Sequence, residues 1–197
     1  MRTNRFCLFL CALLFFTAGT AITQDIAKGG DVVHAVAGVI TKVDSAAKTM
    51  ILKTADGAEH VFRYTEATSV RAAREGTKAA KTGTVDTYMT GKEGSHAIVH
   101  YTGNGADETA VQVEDFGKRS MQVGQGTVTR VDKAARTVTI KAEDGTESTY
   151  RVAKDATVDT EHGVTKDSEL TAKKGEKATV HYTDEAGKKV VHLFKSL

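Results

Sequence analysis

Apolar and polar residues alternate along short runs in the second half of the chain, and turn residues separate the runs. Successive side chains of a β-strand point to opposite faces, so alternation with a period of two predicts strands. Asp144-Gly145 and Ala186-Gly187 mark two hairpins, because Gly adopts a positive φ at little steric cost. Five strands are predicted, at residues 121–132, 137–141, 149–152, 178–182 and 190–194.

The same pattern occurs once before in the chain. Residues 38–63 align without a gap on residues 126–151, and 12 of these 26 positions are identical. The offset of 88 then falls to 81, where the Val-His-Tyr-Thr string at 99–102 recurs at 180–183. The chain therefore contains one β-rich unit twice. The seven extra residues of repeat 1 fall in the stretch 70–81, for which the sequence leaves a short helix and a loop equally open.

The apolar positions predict which strand faces form the core of each repeat. Val128 and Val131 are three residues apart and would lie on opposite faces of a regular strand, so a bulge or bend is predicted near Thr129. The core-facing residues are predicted to be Met50, Leu52, Phe62, Tyr64, Ala97, Val99 and Tyr101 in repeat 1, and Val138, Ile140, Tyr150, Val152, Ala178, Val180 and Tyr182 in repeat 2.

Short, bent strands in units of about 70 residues favour small closed barrels over sandwiches. We expect an all-β fold of two tandem five-stranded barrels, resembling the oligonucleotide/oligosaccharide-binding (OB) barrel, with an SH3-like barrel as the alternative. The barrel repeats are expected at residues 31–116 and 121–197. Only about ten residues separate Phe116 from Gly126, so we expect the two barrels to touch.

The N-terminal residues have the layout of a secretory signal peptide. A short basic start precedes an apolar run, and small residues lead up to Ala21. We therefore expect residues 1–21 to be a cleaved signal peptide, and the mature chain to be periplasmic or secreted and to have no transmembrane segment. Both cysteines, Cys7 and Cys11, lie in the apolar run. The expected mature chain thus excludes disulfides and thiolate chemistry.

The net charge of the chain changes when residues 1–21 are removed. The full chain has 27 Lys and Arg against 25 Asp and Glu, and Arg2 and Arg5 are the only charged residues before position 22. The expected mature chain is therefore neutral. A neutral domain lacks the basic surface that nucleic-acid binding requires, so no nucleic-acid partner is expected.

Histidines are the first candidate ligands, because imidazole suits zinc, copper or nickel. His100 and His181 occupy the same position in the two repeats and form a candidate metal pair. The alternative is that this is a half-exposed strand position that tolerates histidine. No cofactor is predicted.

Four basic residues form a candidate ligand surface. Lys53 and Lys141 are equivalent, as are Arg63 and Arg151, and all four are predicted on the outward faces of the second and third strands. That face of an OB barrel is a common ligand surface, so an anionic envelope glycan or lipid head group is an expected partner. The alternative is that Glu59 and Glu147 pair with these residues across the strands.

No catalytic motif in the sequence lies in the secondary structure that its chemistry requires. Ser45-Ala46-Ala47-Lys48 fits an S-x-x-K pattern, but it lies in a predicted turn and repeat 2 has Lys133 at the serine position. We therefore expect a protein that is not an enzyme.

The G-x-[VI]-T-[KR]-V-D-x-A-A-[KR]-T motif, the D-G-x-E hairpin and the V-H-Y-T string resemble those of small exported bacterial proteins of uncharacterised function, built from tandem OB-like β-barrel domains. The resemblance runs from about Asp31 to Phe194. It implies an exported β protein and brings no catalytic residues. The expected function is a non-enzymatic binding or structural module of the bacterial envelope, and the alternative is a periplasmic metal-binding protein that uses His100 and His181.

Overall fold

A computed structural model describes residues 32–72, 85–165 and 170–197. The predicted signal peptide lies outside the described residues. Within them the chain is almost entirely β-structure, with one short helix, α1 (Val85–Met89), and a 3-10 turn at Gly105–Asp107. No helix of the described residues is long and apolar enough to cross a membrane.

The first half of the chain forms one six-stranded sheet, which we call barrel 1. Its strands are β1 (His34–Asp44), β2 (Thr49–Lys53), β3 (Glu59–Arg63), β4 (Ser69–Ala72), β5 (His96–Thr102) and β6 (Thr109–Gly117). Around the barrel the order is β1, β2, β3, β6, β5 and back to β1, and β4 adds to β6. The parallel contact of β3 with β6 closes the barrel, while the other four contacts around the ring are antiparallel.

The second half of the chain repeats this topology in a second six-stranded sheet, which we call barrel 2. Its strands are β7 (Gln122–Asp132), β8 (Thr137–Lys141), β9 (Glu147–Thr160), β10 (Gly163–Val164), β11 (Lys177–Glu185) and β12 (Lys188–Ser196). The ring order is β7, β8, β9, β12, β11 and back to β7, and β10 adds to β9. The prediction of two tandem five-stranded, OB-like barrels is confirmed.

The third strand of repeat 2 is longer than predicted. The sequence predicts a strand at residues 149–152, but β9 runs from Glu147 to Thr160 because its second half pairs in parallel with β12. In barrel 1 the corresponding pairing is made by β4, which also lies in parallel with β6. Residues 70–72 of the stretch left open between helix and loop are therefore strand, and residues 73–81 lie outside the described residues.

The predicted bulge and turns are present in both copies. The register of β7 against β8 shifts between Val128 and Arg130, and that of β1 against β2 shifts at the equivalent place. In the turns that follow, Oδ1 of Asp44 and of Asp132 each accepts a backbone N–H three residues further on, at 2.9 Å. The duplicated aspartates thus stabilise turns.

The core faces follow the predicted alternation. Each barrel has its own apolar core, and every predicted core residue is buried except Tyr101, which is partly buried and packs against the core of barrel 1. Met89 of α1 is fully buried in the core of barrel 1, and Leu170 is buried at the equivalent place in barrel 2.

The closing seams of the two barrels differ in length. In the described part of barrel 1, β3 pairs with β6 only at Arg63 and Thr109. In barrel 2, β9 pairs with β12 at five positions, from Arg151 opposite Val190 to Asp159 opposite Lys195. One continuous strand therefore closes barrel 2, whereas two separate strands share that task in barrel 1.

The two barrels pack against each other through a third apolar cluster. Ala35, Ala37, Ile98 and Phe116 of barrel 1 meet Leu193 of barrel 2, and all five are buried. The backbone N–H of Val164 also donates to the carbonyl of Val33, at 2.6 Å. The predicted contact between the barrels is therefore present.

Candidate functional site

The four basic residues predicted to form a ligand surface are all exposed. Lys53 lies directly opposite Glu59 in the register of β2 and β3, and Lys141 lies opposite Glu147 in that of β8 and β9. Arg151 lines a cleft that also includes residues from two turns of barrel 2. The structure thus brings one predicted surface residue into a concave site.

This concave site, which we call the turn cleft, has a volume of about 610 Å³. It is lined by residues of β8 and β9, of the β7–β8 turn and of the β11–β12 turn. The polar side chains that line it include Arg151, Lys188, Lys189, Glu147, Ser148 and Thr149. Three basic residues and one acidic residue line the cleft, so its formal charge is positive.

Lys189 contacts three side chains of barrel 2. Its Nζ donates to Ser148 Oγ at 3.0 Å and lies 5.4 Å from the ring centroid of Tyr150 and 5.8 Å from that of Tyr182. Both rings are buried and meet edge to face at 5.0 Å. Contact with two aromatic rings stabilises an ammonium group and restricts its position. The prediction from sequence overlooked Lys188 and Lys189, although they directly follow the recognised Ala186-Gly187 hairpin.

Barrel 1 carries the opposite charge at the matching place. With offsets of 81 and 88 residues, Glu108 corresponds to Lys189 and His60 corresponds to Ser148. Glu108 is buried, and its Oε2 lies 3.0 Å from His60 Nδ1. The His60 ring stacks on Phe62 with centroids 5.7 Å apart. The end of barrel 1 that corresponds to the turn cleft is thus occupied by a histidine–carboxylate pair.

The outward sheet faces differ as well. In barrel 2, the hydroxyls of Thr139 and Thr149 lie 3.0 Å apart at the middle of the β8–β9 face. In barrel 1, Ile51 and Val61 are paired at the same position, and Val61 is exposed. The face of barrel 2 is therefore hydroxyl-rich where that of barrel 1 is apolar.

The predicted metal ligand His100 lies where the two barrels meet. Its Nε2 is 3.0 Å from Thr157 Oγ1 of barrel 2 and 3.2 Å from Glu114 Oε1 of its own barrel. Glu114 is buried, and its Oε2 lies 2.8 Å from Arg71 Nη2. Burial acts to raise the pKa of the Glu114 carboxyl, but the bonds from His100 and Arg71 outweigh it and hold that pKa below its ordinary value.

The predicted metal ligand His181 has a different environment. Burial, together with the positive charge of Lys195, lowers the pKa of His181 from 6.5 to about 4. Lys195 occupies the position in barrel 2 that Glu114 occupies in barrel 1. The two histidines are therefore equivalent in sequence but have neighbours of opposite charge.

Asp159 is a further residue of this interface that the sequence did not single out. Its Oδ2 accepts the backbone N–H of Ala35 at 3.1 Å, and its Oδ1 lies 3.2 Å from His34 Nδ1, both across the interface. Lys195 Nζ lies 3.5 Å from Oδ2 within barrel 2. This fully buried carboxylate thus connects the two barrels.

Among the described residues, no group of three or more His, Cys, Asp or Glu side chains is arranged to hold a metal ion. His100 and His181 have different polar neighbours, and the metal pair stays a prediction. No protein-family model matches the chain, and no curated protein is similar enough to match it. The candidate site is therefore defined by the geometry of the residues themselves.

Proposed function

We propose that this chain is a non-enzymatic binding module of the bacterial envelope, and that barrel 2 binds an anionic group of an envelope glycan or lipid in the turn cleft. The observation that carries the proposal is the set of three basic side chains in one concave site, with Lys189 held between Ser148 and two tyrosine rings. The site lies on the strand face and turns that OB barrels use for ligands.

The chemistry of the turn cleft suits a phosphate or a carboxylate. The planar guanidinium of Arg151 can bind two oxygens of such a group at once, while the ammonium groups of Lys188 and Lys189 act as point charges. Ser148 and Thr149 add hydroxyls that donate to further oxygens. A monoanionic or dianionic group on a sugar or glycerol unit would meet these donors together.

Barrel 1 provides an internal control for the proposal. The carboxylate of Glu108 stands at the position of Lys189, and Asp107 stands at that of Lys188. An anion placed there would meet two carboxylates. The proposal therefore assigns the anionic ligand to barrel 2 alone.

The test is a titration of the protein, without residues 1–21, with glycerol phosphate and with a galacturonic acid trimer, followed by amide chemical shifts. Vesicles containing phosphatidylglycerol form a separate arm and distinguish a lipid head group from a soluble glycan. We expect shifts at Ser148, Thr149 and Gly187. The double variant Lys188→Ala/Lys189→Ala should weaken binding at least about tenfold, since one hydrogen bond to a charged group contributes about 1.5 kcal/mol.

The matched control is the double variant Lys53→Ala/Arg63→Ala on barrel 1, which should bind like the unchanged protein. Equal losses in the two double variants would show that only general surface charge matters. Shifts confined to barrel 1 would overturn the assignment. Fractionation of cells that produce the full chain tests export separately, and recovery in the cytoplasm would contradict the envelope role.

A further inference from the structure

A second cleft lies between the two barrels, and we call it the inter-barrel cleft. It has a volume of about 350 Å³ and receives side chains from β4, β5 and β6 of barrel 1 and from β9 and β10 of barrel 2. The lining residues with charged or hydrogen-bonding side chains include Arg71, His100, Glu114, Lys154, Asp155 and Thr157. It shares no residue with the turn cleft.

The charges of the inter-barrel cleft balance. Arg71 and Lys154 are cationic, and Glu114 and Asp155 are anionic. Arg71 Nη1 lies 3.7 Å from Asp155 Oδ2, so part of this compensation occurs across the interface. Each end of the cleft holds one cationic and one anionic side chain, so a charged ligand would be attracted by one and repelled by the other. The lining therefore favours a neutral ligand.

The hydrogen-bonding groups are of two separate kinds. Arginine and lysine only donate, and ionised carboxylates only accept. A hydroxyl both donates and accepts, so several hydroxyls on one small molecule can bond to both kinds at once. Nε of Arg71 is buried, and it has no hydrogen-bond partner among the residues that the structure describes. A buried donor left unpaired is costly. The guanidinium of Arg71 lines the cleft, so its other N–H groups can donate to a ligand hydroxyl.

Glu114 is held in place before any ligand arrives. Only 4% of its side chain is exposed, and it receives contacts from Arg71, from His100 and from Gln112 Nε2 at 3.0 Å. Lys154 and Asp155 stand at the exposed rim. A fixed inner carboxylate with an adaptable polar rim is an arrangement that orients a small polar ligand.

We propose that the inter-barrel cleft binds one neutral sugar unit through its hydroxyls, with Arg71, Glu114 and Thr157 at the inner end and Lys154 and Asp155 at the mouth. The volume of the cleft is at the small end of ligand sites, which suits a single ring. Both barrels contribute to the lining, so a bound sugar stabilises their docking as well.

The test is saturation-transfer NMR of the protein without residues 1–21, with cellobiose and N,N′-diacetylchitobiose as neutral probes. We expect saturation transfer to at least one probe and amide shifts at Thr157 and Val164. The double variant Lys154→Ala/Asp155→Asn keeps the cleft neutral and changes only exposed rim residues, so it should fold normally. It should weaken binding by about tenfold through the loss of charged hydrogen-bond partners.

The matched control is Lys133→Ala/Glu143→Gln, which makes the same kind of change in exposed turns outside the cleft. It should bind the sugar like the unchanged protein. Absence of saturation transfer to both probes, shifts confined to the turn cleft, or unchanged binding by the rim variant would each overturn the proposal. The anionic probes of the turn cleft do not enter this test, so either proposal can fail alone.

Discussion

The same histidine position in the two barrels has opposite electrostatics. His100 contacts the buried carboxylate of Glu114, whereas His181 faces the ammonium group of Lys195, which stands at the equivalent position. Sequence identity at a duplicated position therefore did not preserve its chemistry. The neighbours of the duplicated residue determine what that residue can do.

The charged residues next to the two histidines differ between the barrels as a pair. In barrel 1, Arg71 on β4 bonds to Glu114 on β6. In barrel 2, Asp159 on β9 lies at the position of Arg71 and contacts Lys195 on β12, at the position of Glu114. The ion pair is retained with its direction reversed. Reversal keeps each pair neutral, and it turns one carboxylate, Asp159, towards the other barrel.

The largest effect is expected from Asp159→Ala. This change leaves the buried N–H of Ala35 without an acceptor and removes the partner of Lys195, so we expect a loss of about 4 kcal/mol in the free energy of unfolding. Urea titration measures it. Asp159→Asn keeps a side-chain acceptor for Ala35 and should cost distinctly less. Similar losses in the two variants would show that the carboxylate charge, rather than the acceptor, stabilises the interface.

The pH dependence of stability should distinguish His181 from an exposed histidine. Because its pKa is lowered from 6.5 to about 4 in the folded chain, the unfolded chain binds the proton more tightly. Stability should be full above pH 6.5 and fall by about 3 kcal/mol between pH 6.5 and 4, since one pKa unit corresponds to about 1.4 kcal/mol.

His181→Gln should remove this part of the pH dependence, whereas His162→Gln, at an exposed position, should leave it unchanged. Thermal unfolding at a series of pH values provides the comparison. A wild-type decline that persists in His181→Gln would assign the effect to other groups.

Matched core truncations should affect the two barrels equally. Val99 and Val180 are fully buried at equivalent positions, and truncation of either to alanine should cost about 2 kcal/mol through lost packing. Thr179→Ala, on the outward face of β11, should cost no more than about 0.5 kcal/mol. Urea titration of the three variants tests the face assignment. A loss for Thr179→Ala as large as that for Val180→Ala would contradict it.

The smallest effect is expected from zinc. The charge of Lys195 beside His181 disfavours a cation there, so the melting temperature should not respond to zinc through this residue. If the folded protein did bind zinc, a zinc concentration of ten times the Kd would raise the free energy of unfolding by about 1.4 kcal/mol. Stabilisation of that size that disappears in His100→Ala/His181→Ala would instead support the metal-binding alternative.

Local sequence patterns were sufficient to predict most of the strands and core faces of the barrels. The period of two identified the core faces, and the three-residue spacing of Val128 and Val131 located the bulge, because both depend only on neighbours along the chain. The length of β9 was missed because Lys154 and Asp155 interrupt the apolar pattern. That segment is held by β12, which follows far later in the sequence.

The interface residues were missed for a different reason. Identical positions in the two repeats drew attention to His100 and His181, whereas Glu114 and Lys195 differ between the repeats. A search for paired charge reversals at equivalent positions would have found Arg71 with Glu114 and Asp159 with Lys195. The docking of the barrels depends on contacts between residues far apart in the sequence. The alternation of apolar and polar residues along one strand cannot predict such contacts.

The short seam of barrel 1 determines where the protein opens first. Among the described residues only one pair joins β3 to β6, so few backbone hydrogen bonds must break before β3 separates from β6. Amide hydrogen exchange should therefore be fastest, among the strands of the rings, along this seam, and slower where β9 runs beside β12. Because β4 stays paired with β6 from Gln112 to Asp115, this opening frees only the stretch of β6 around Thr109.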